Sequence, residues 1–281
     1  MKHILLPTDF SENSLHAIRY AFQLYKKQTF TAYLVHTYQF TAYHPGYFQK
    51  NNPEHELANF KQEQSETQLK KLQKSLESEF GSNNNIILIS IFNSLNLGIQ
   101  KILKKYPIDL IIMGTKGLAN DHYIFLGTNT ALCISTIDFP ILIVPENAVF
   151  NEAKEILFPT DFKDLISNRF LEKVRSFATN HESRINVLNI LNQDEIKPEQ
   201  QENRNFLKKY FESSLKQINY IEEKTVLRGI EKFQSEHTID LLVMVRNKHS
   251  LFENIFFQPV IYNLVYHSQI PFLVIPGTND K

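Results

Sequence analysis

HILLPTDFSE, residues 3–12, returns later in the chain as EILFPTDFKD, residues 155–164. The echo continues in the same order. YPIDLIIMG (106–114) reappears as HTIDLLVMV (237–245), and FPILIVP (139–145) as IPFLVIP (270–276). Repeats whose order is preserved mark duplication of a whole folding unit. The 281 residues are therefore expected to form two domains, 1–149 and 153–281, joined by a short polar linker near Val149 to Ala153. The first copy alone carries an additional polar, aromatic and proline-containing segment, TYQFTAYHPGYFQKNNPE.

Within each copy, short β-branched runs alternate with polar, helix-favouring stretches. HILL, TAYLVH, NIILISI, DLIIM and PILIV read as strands of the first copy; EILF, RINVLNI, YIEEKTVL, DLLVMV and FLVIP read as strands of the second. Between the first-copy strands, ENSLHAIRYAFQLYKK and HELANFKQEQSETQLKKLQKSLESEF carry apolar residues at helical spacing, and shorter helices are expected at LNLGIQKILKKY and TALCISTI. Nearly all-apolar strands interleaved with helices imply a parallel sheet covered on both faces. The expected class is α/β: two tandem doubly wound domains, each a five-stranded parallel sheet flanked by helices.

Composition excludes several classes of function. Charged residues make up 21% of the chain and cancel to a net charge of zero, and splitting after Phe150 leaves each part close to neutral. Neither part has the basic excess of a protein that grips nucleic acid by its backbone. No apolar run approaches the length of a membrane span, and the apolar stretch in MKHILLPTDF is too short for a secretory signal. The one cysteine, Cys133, can form no internal disulfide, which matches a reducing compartment, so a cytoplasmic location is expected.

In a doubly wound sheet, ligands sit beyond the carboxyl ends of the strands where the strand order reverses. Two loops there have unusual composition: Pro7-Thr8-Asp9-Phe10-Ser11 after the first strand, and MGTKGLANDHYIFLGTNTA (113–131) after the fourth. They share one crevice if their strands are neighbours. Gly114 and Gly117 permit close backbone approach, and Gly127-Thr128-Asn129-Thr130 opens a helix whose first amides favour an anion. Asp9 is suited to a sugar hydroxyl or base amine, since a carboxylate repels phosphate unless a metal intervenes. Each feature also has a plainer explanation. Asp9 or Ser11 can cap the first helix, the glycines can serve turns, and His36 can be a packed histidine.

Other chemistries fail on spacing. Neither Gly-x-x-x-x-Gly-Lys-[Ser/Thr] nor Gly-x-Gly-x-x-Gly is present, the histidines lack zinc spacing, and Cys133 has no paired base. No catalytic residue is assigned, because no Asp, Glu or His is placed as a base beside Thr128.

Pro7-Thr8-Asp9, Val35-His36, Met113-Gly114-x2-Gly117-x9-Gly127-Thr128 and Ile143-Val144-Pro145 together resemble the universal stress protein family, in its ATP-binding branch. The resemblance implies a site for ATP, with Mg or Mn accompanying the phosphates. It implies that Thr8 and Asp9 lie near the adenosine, that Val35 meets the adenine through its backbone, and that Met113 borders sugar and base. Gly114 and Gly117 would shape the loop, and Gly127, Thr128 and Thr130 would hold phosphate oxygens; Asn129 departs from the small apolar residue usual there, with its backbone amide still available to the ligand. It also implies pairing through the last strands, which a tandem chain makes internally as a pseudo-dimer. A further homodimer would use Phe252, Phe256 and Phe257.

The second copy keeps Asp161 but places Val245, Lys248 and Gln258 where Gly114, Gly117 and Gly127 stand. Its site is expected to be degenerate, leaving Arg246, Lys248 and His249 as candidates for an unrelated anion contact. Since that copy completes the same turn without the glycines, those of the first copy point to a ligand. The expected function is a stress-associated regulatory protein that binds ATP in its first domain with little or no hydrolysis. The alternatives are a nucleotide-free interaction module and a slow ATPase.

Overall fold

A computed structural model describes residues 1–39, 53–115, 128–163, 169–191, 196–246 and 270–277. Gly117, Gly127, Lys248, His249, Gln258, the proposed homodimer phenylalanines and most of the first-copy insert lie outside them. The first half runs β1 (Lys2–Pro7), α1 (Glu12–Leu24), β2 (Phe30–Tyr38), α2 (Pro53–Phe80), β3 (Asn85–Phe92), α3 (Leu95–Lys105), β4 (Leu110–Thr115), α4 (Thr128–Thr136) and β5 (Ile141–Pro145). The second follows with β6 (Glu155–Pro159), α5 (Leu171–His181), β7 (Arg184–Leu191), α6 (Pro198–Tyr210), β8 (Leu215–Glu222), α7 (Val226–Glu236), β9 (Leu241–Arg246) and β10 (Phe272–Pro276).

The strands form one ten-stranded sheet in the order β3-β2-β1-β4-β5-β10-β9-β6-β7-β8. Within each half every pairing is parallel, as expected of buried apolar strands. The halves meet through β5 and β10, which pair antiparallel with Leu273 opposite Leu142 and Phe272 opposite Ile143. Both strands are buried along their whole length, so the junction is core rather than rim. The internal pseudo-dimer is thus made by completing one sheet, which leaves neither last strand with an open edge.

Alternation of side chains along each strand divides the interior into two layers. On one face, Ile4, Leu6 and Leu34 pack with Ala17 and Ile18 of α1, Leu69 and Leu76 of α2, and Val174 and Leu207 of the second half. On the other, Leu5, Val35 and Met113 pack with Ile99, Ile102 and Ile134, continuing into Ile230 and Phe233 of α7. Each layer draws residues from both halves.

Two sequence expectations change. YIEEKTVL is not one strand: β8 begins earlier, at Leu215, and Thr225 accepts from the Arg228 amide to cap α7, which takes Val226 and Leu227 into its first turn. The mixed polarity of an edge strand hid its start. The linker is less polar in effect than in composition. Val149 is exposed, but Ala148 and Ala153 are buried, and Phe150 packs edge-on to Tyr20 with ring centroids 5.3 Å apart.

Polar contacts also cross between the halves. Lys173 pairs with Asp109 at 2.9 Å and Arg169 with Asp138 at 2.9 Å. Arg246, at the end of β9, donates to the carbonyls of Ile134 and Ile137 in the last turn of α4 and just beyond it. There it satisfies helix-end acceptors and sits favourably on the helix dipole. The anion contact considered for Arg246 therefore gives way to a structural one.

Candidate functional site

β1 and β4 are parallel neighbours, with Ile4 opposite Leu110 and Leu5 opposite Ile111. β2 lies on the outer side of β1 and β5 on the outer side of β4, so the strand order reverses between β1 and β4. The loop holding Thr8 and Asp9 and the end of β4 at Gly114 consequently open side by side at the carboxyl end of the sheet.

Local hydrogen bonds explain the first loop. Pro7 ends β1, and Thr8 is buried with its amide donating to the Val35 carbonyl at 2.8 Å. Its hydroxyl accepts from the Phe10 amide at 2.9 Å and meets the Ser14 hydroxyl at 3.0 Å. Asp9 turns outward, its Oδ1 accepting from both the amide and the hydroxyl of Ser11. Ser11, not Asp9, is the cap of α1, its hydroxyl accepting from the Ser14 amide. Burial raises the proton affinity of the Asp9 carboxyl, but the bonds from Ser11 and Ser14 outweigh it and hold the group below its ordinary range. It is an oriented, ionised acceptor.

Phe10 pays for this turn with a φ of 62°. A left-handed conformation at a bulky residue costs on the order of 1–2 kcal/mol, which the Thr8 and Asp9 bonds on either side offset. Its ring lies 4.6 Å from that of His36. His36 Nδ1 meets the buried Ser65 hydroxyl at 2.8 Å, and the Ser90 hydroxyl donates to Ser65 at the same distance. Burial depresses the His36 pKa, opposed by the nearby Asp9 carboxylate. The sequence signal for this arrangement was the repeated Phe of PTDF, because Phe162 takes the same conformation at φ 58°.

The remaining site candidates divide. Gly114 is required by packing: a Cβ there would stand 2.7 Å from the Asn13 backbone oxygen and 2.8 Å from its side chain. Asn13, which sequence reasoning missed, brings the first turn of α1 onto the end of β4. The internal comparison narrows accordingly. In the second half α5 starts only at Leu171, whereas α1 starts at Glu12 directly after its loop. A glycine at 114 has a reason independent of any ligand; Gly117 and Gly127, outside the described residues, have none among the described contacts. Gly114→Ala is expected to cost about 1–3 kcal/mol by overpacking, read as a lowered Tm against wild type. An unchanged Tm would show that α1 can step aside.

Thr130 is buried, with its hydroxyl donating to the Gly114 carbonyl at 3.0 Å, so its side chain ties α4 to the loop end. Asn129 is exposed in the first turn of α4, and Thr128 begins that helix. The amides of Thr128, Asn129 and Thr130 have no acceptor within the helix, as at any helix start. Met113 and Val35 are buried in the core layer beneath α3 and α4. Their side chains belong to the core, and the Val35 carbonyl is already taken by the Thr8 amide.

The second half closes its equivalent loop with its own side chains. Asp161 pairs with the Lys163 ammonium at 3.3 Å. Asn189 donates to the Thr160 carbonyl at 2.8 Å and Gln200 to the Asp161 carbonyl at 2.7 Å.

Comparison with known proteins agrees with the fold. A sequence model described as the universal stress protein family matches residues 1–145. No curated protein matches the chain. Among solved structures, a universal stress protein from Archaeoglobus fulgidus is 16% identical, with 99% of this chain and 97% of that one covered at a TM-score of 0.69. A putative universal stress protein from Pseudomonas aeruginosa UCBPP-PA14 is 11% identical, covering 99% and 94% at 0.56. The cytoplasmic domain of a prokaryotic cation chloride cotransporter is 10% identical, covering 97% and 94% at 0.51. These likenesses concern architecture. Among the described residues, no helix is long and apolar enough to cross a membrane.

Proposed function

The chain belongs to the universal stress protein family, and on that premise we propose that it is a stress-associated regulatory protein whose first half binds ATP with negligible hydrolysis. The observation that carries this reading is the contrast between two equivalent loops. Asp9 is exposed, ionised and aimed by Ser11, with no cation paired to it among the described residues, while Asp161 is paired with Lys163 and its loop carbonyls are taken by Asn189 and Gln200.

The donor set of the first half suits the ligand's chemistry. Asp9 would accept from ribose or adenine, and the orphan amides of Thr128, Asn129 and Thr130 would meet phosphate oxygens together with the Gly114, Gly117 and Gly127 backbone. Thr130 would contribute its amide rather than its hydroxyl. Thr8, Val35 and Met113 would form the buried wall behind the nucleoside, and Mg or Mn would be carried with the phosphates. The bound nucleotide supplies charge and shape to be read by a partner.

Titration of ligand-stripped protein with ATP and Mg tests this. Saturable binding is expected, and Gly127→Val should weaken it at least about 100-fold, since a branched side chain would obstruct the close approach of phosphate that the proposal requires. Substituting Gln258 should leave it unchanged. Absence of saturable binding would sink the proposal, and phosphate release faster in wild type than in Gly127→Val would replace it with an ATPase.

A further inference from the structure

β8 is the terminal strand of the sheet, and among the described residues no strand lies beyond it. The unpaired amides and carbonyls along such an edge are a template for an incoming extended chain. An open groove of about 740 Å³ runs between this edge and α6, lined by Arg204, Lys208, Lys209 and Lys216 against a single carboxylate, Glu212. The cations are not equivalent. Lys216 is balanced by Glu155 at 3.2 Å, and Arg204 donates to the Tyr220 hydroxyl at 3.0 Å, bridging helix and strand. Lys208 and Lys209 are exposed on the last turn of α6, and neither forms an ion pair among the described residues.

Lysines at a helix C-terminus favour the dipole, which explains them on α6 but not their position facing an open strand. Pairing of β8 with β7 shifts register between Ile185 and Asn186, leaving Lys216 as an extra residue at a bulge; beyond it the ladder is regular from Gln217 to Glu222. The other end of the sheet offers an internal control. There the helix before the edge strand β3, α2, has no basic residue in its last turn, whereas α6 before β8 has Lys208 and Lys209.

We propose that this edge docks an acidic, extended segment of another protein, added along residues 217–222 with its carboxylates over Lys208 and Lys209. Antiparallel self-pairing centred on Asn219 would set Lys216 opposite Glu222, so a dimer of the chain seen by sedimentation at the titrated concentration would overturn the proposal.

Fluorescence anisotropy with a labelled alternating Glu-Val peptide, titrated with the full chain at low salt, tests the assignment. Saturable binding is expected, absent for a Lys-Val peptide and lost when alternate peptide amides are N-methylated, because strand addition needs those donors. Lys208→Glu with Lys209→Glu should weaken it about tenfold. Circular dichroism should show the fold retained, and Lys208→Gln with Lys209→Gln replaces the pair if it is not. No saturable binding, equal binding of the N-methylated peptide, or no effect of the folded double variant would overturn the proposal. Equally tight binding of single-stranded DNA or polyphosphate would overturn it in favour of a general polyanion surface.

Discussion

Leu273→Asp is expected to prevent the whole chain from folding, not the second half alone. Leu273 is 1% exposed and faces Leu142 at the centre of the antiparallel junction, between the Phe272–Ile143 and Val274–Ile141 pairs. A carboxylate there loses its water without gaining a cation, at a cost above about 4 kcal/mol, against a typical total stability of about 5–15 kcal/mol. Because each core layer contains residues of both halves, damage at the seam reaches both. Leu273→Met, which conserves volume, should cost less than about 1.5 kcal/mol. Denaturant unfolding followed by circular dichroism should give a single transition for wild type and Leu273→Met. A folded first half surviving in Leu273→Asp would show that the halves are independent.

Acid should weaken the same interface through His181. Its ring packs 4.4 Å from Phe177 and 5.5 Å from Tyr25 of the first half, and its Nε2 is buried without a hydrogen-bond partner. A cavity of about 30 Å³ beside it is also lined by Lys2, Asp109 and Lys173. Burial lowers the His181 pKa to about 4, with Lys154 and Lys2 acting in the same direction and Glu152 opposing. The unfolded chain, with a histidine pKa near 6.5, takes up the proton first as pH falls. Stability is therefore intact above about pH 6.5 and declines toward pH 4, by about 3 kcal/mol from this one group. Carboxylates with depressed pKa values, such as Asp109 and Glu155, add losses at lower pH. Comparing wild type with His181→Phe between pH 7 and 4.5 isolates the histidine. The variant should keep the aromatic packing and lose most of the dependence in that window. An equal decline in both proteins would assign the effect elsewhere.

The tandem fold was readable because duplication leaves ordered echoes and because buried parallel strands are nearly all apolar. Strand order was not, since the run DLIIM looks the same whichever neighbour it pairs with. The β1–β4 adjacency that joins the two loops is a property of tertiary packing. The start of β8 was lost because an edge strand with lysine, glutamine and asparagine has no apolar alternation to follow. PTDF marked a loop that the fold sets beside the end of β4, and of the two caps the sequence offered, Ser11 caps the helix while Asp9 faces outward. Gly114 shows the deeper ambiguity. A glycine that admits a ligand and one that admits Asn13 are identical letters, and only the approach of α1 distinguishes them. Likewise, Arg246 resembled an anion ligand in sequence because nothing local reveals that α4 of the other half ends beside it.

Native mass spectrometry of the freshly purified, full-length chain tests the central claim most directly. One ATP per chain is predicted, retained in a variant of Gln258 and absent from Gly127→Val. Two nucleotides per chain, or none after incubation with ATP and Mg, would contradict an account in which the first half holds the ligand and the second has closed its own loop.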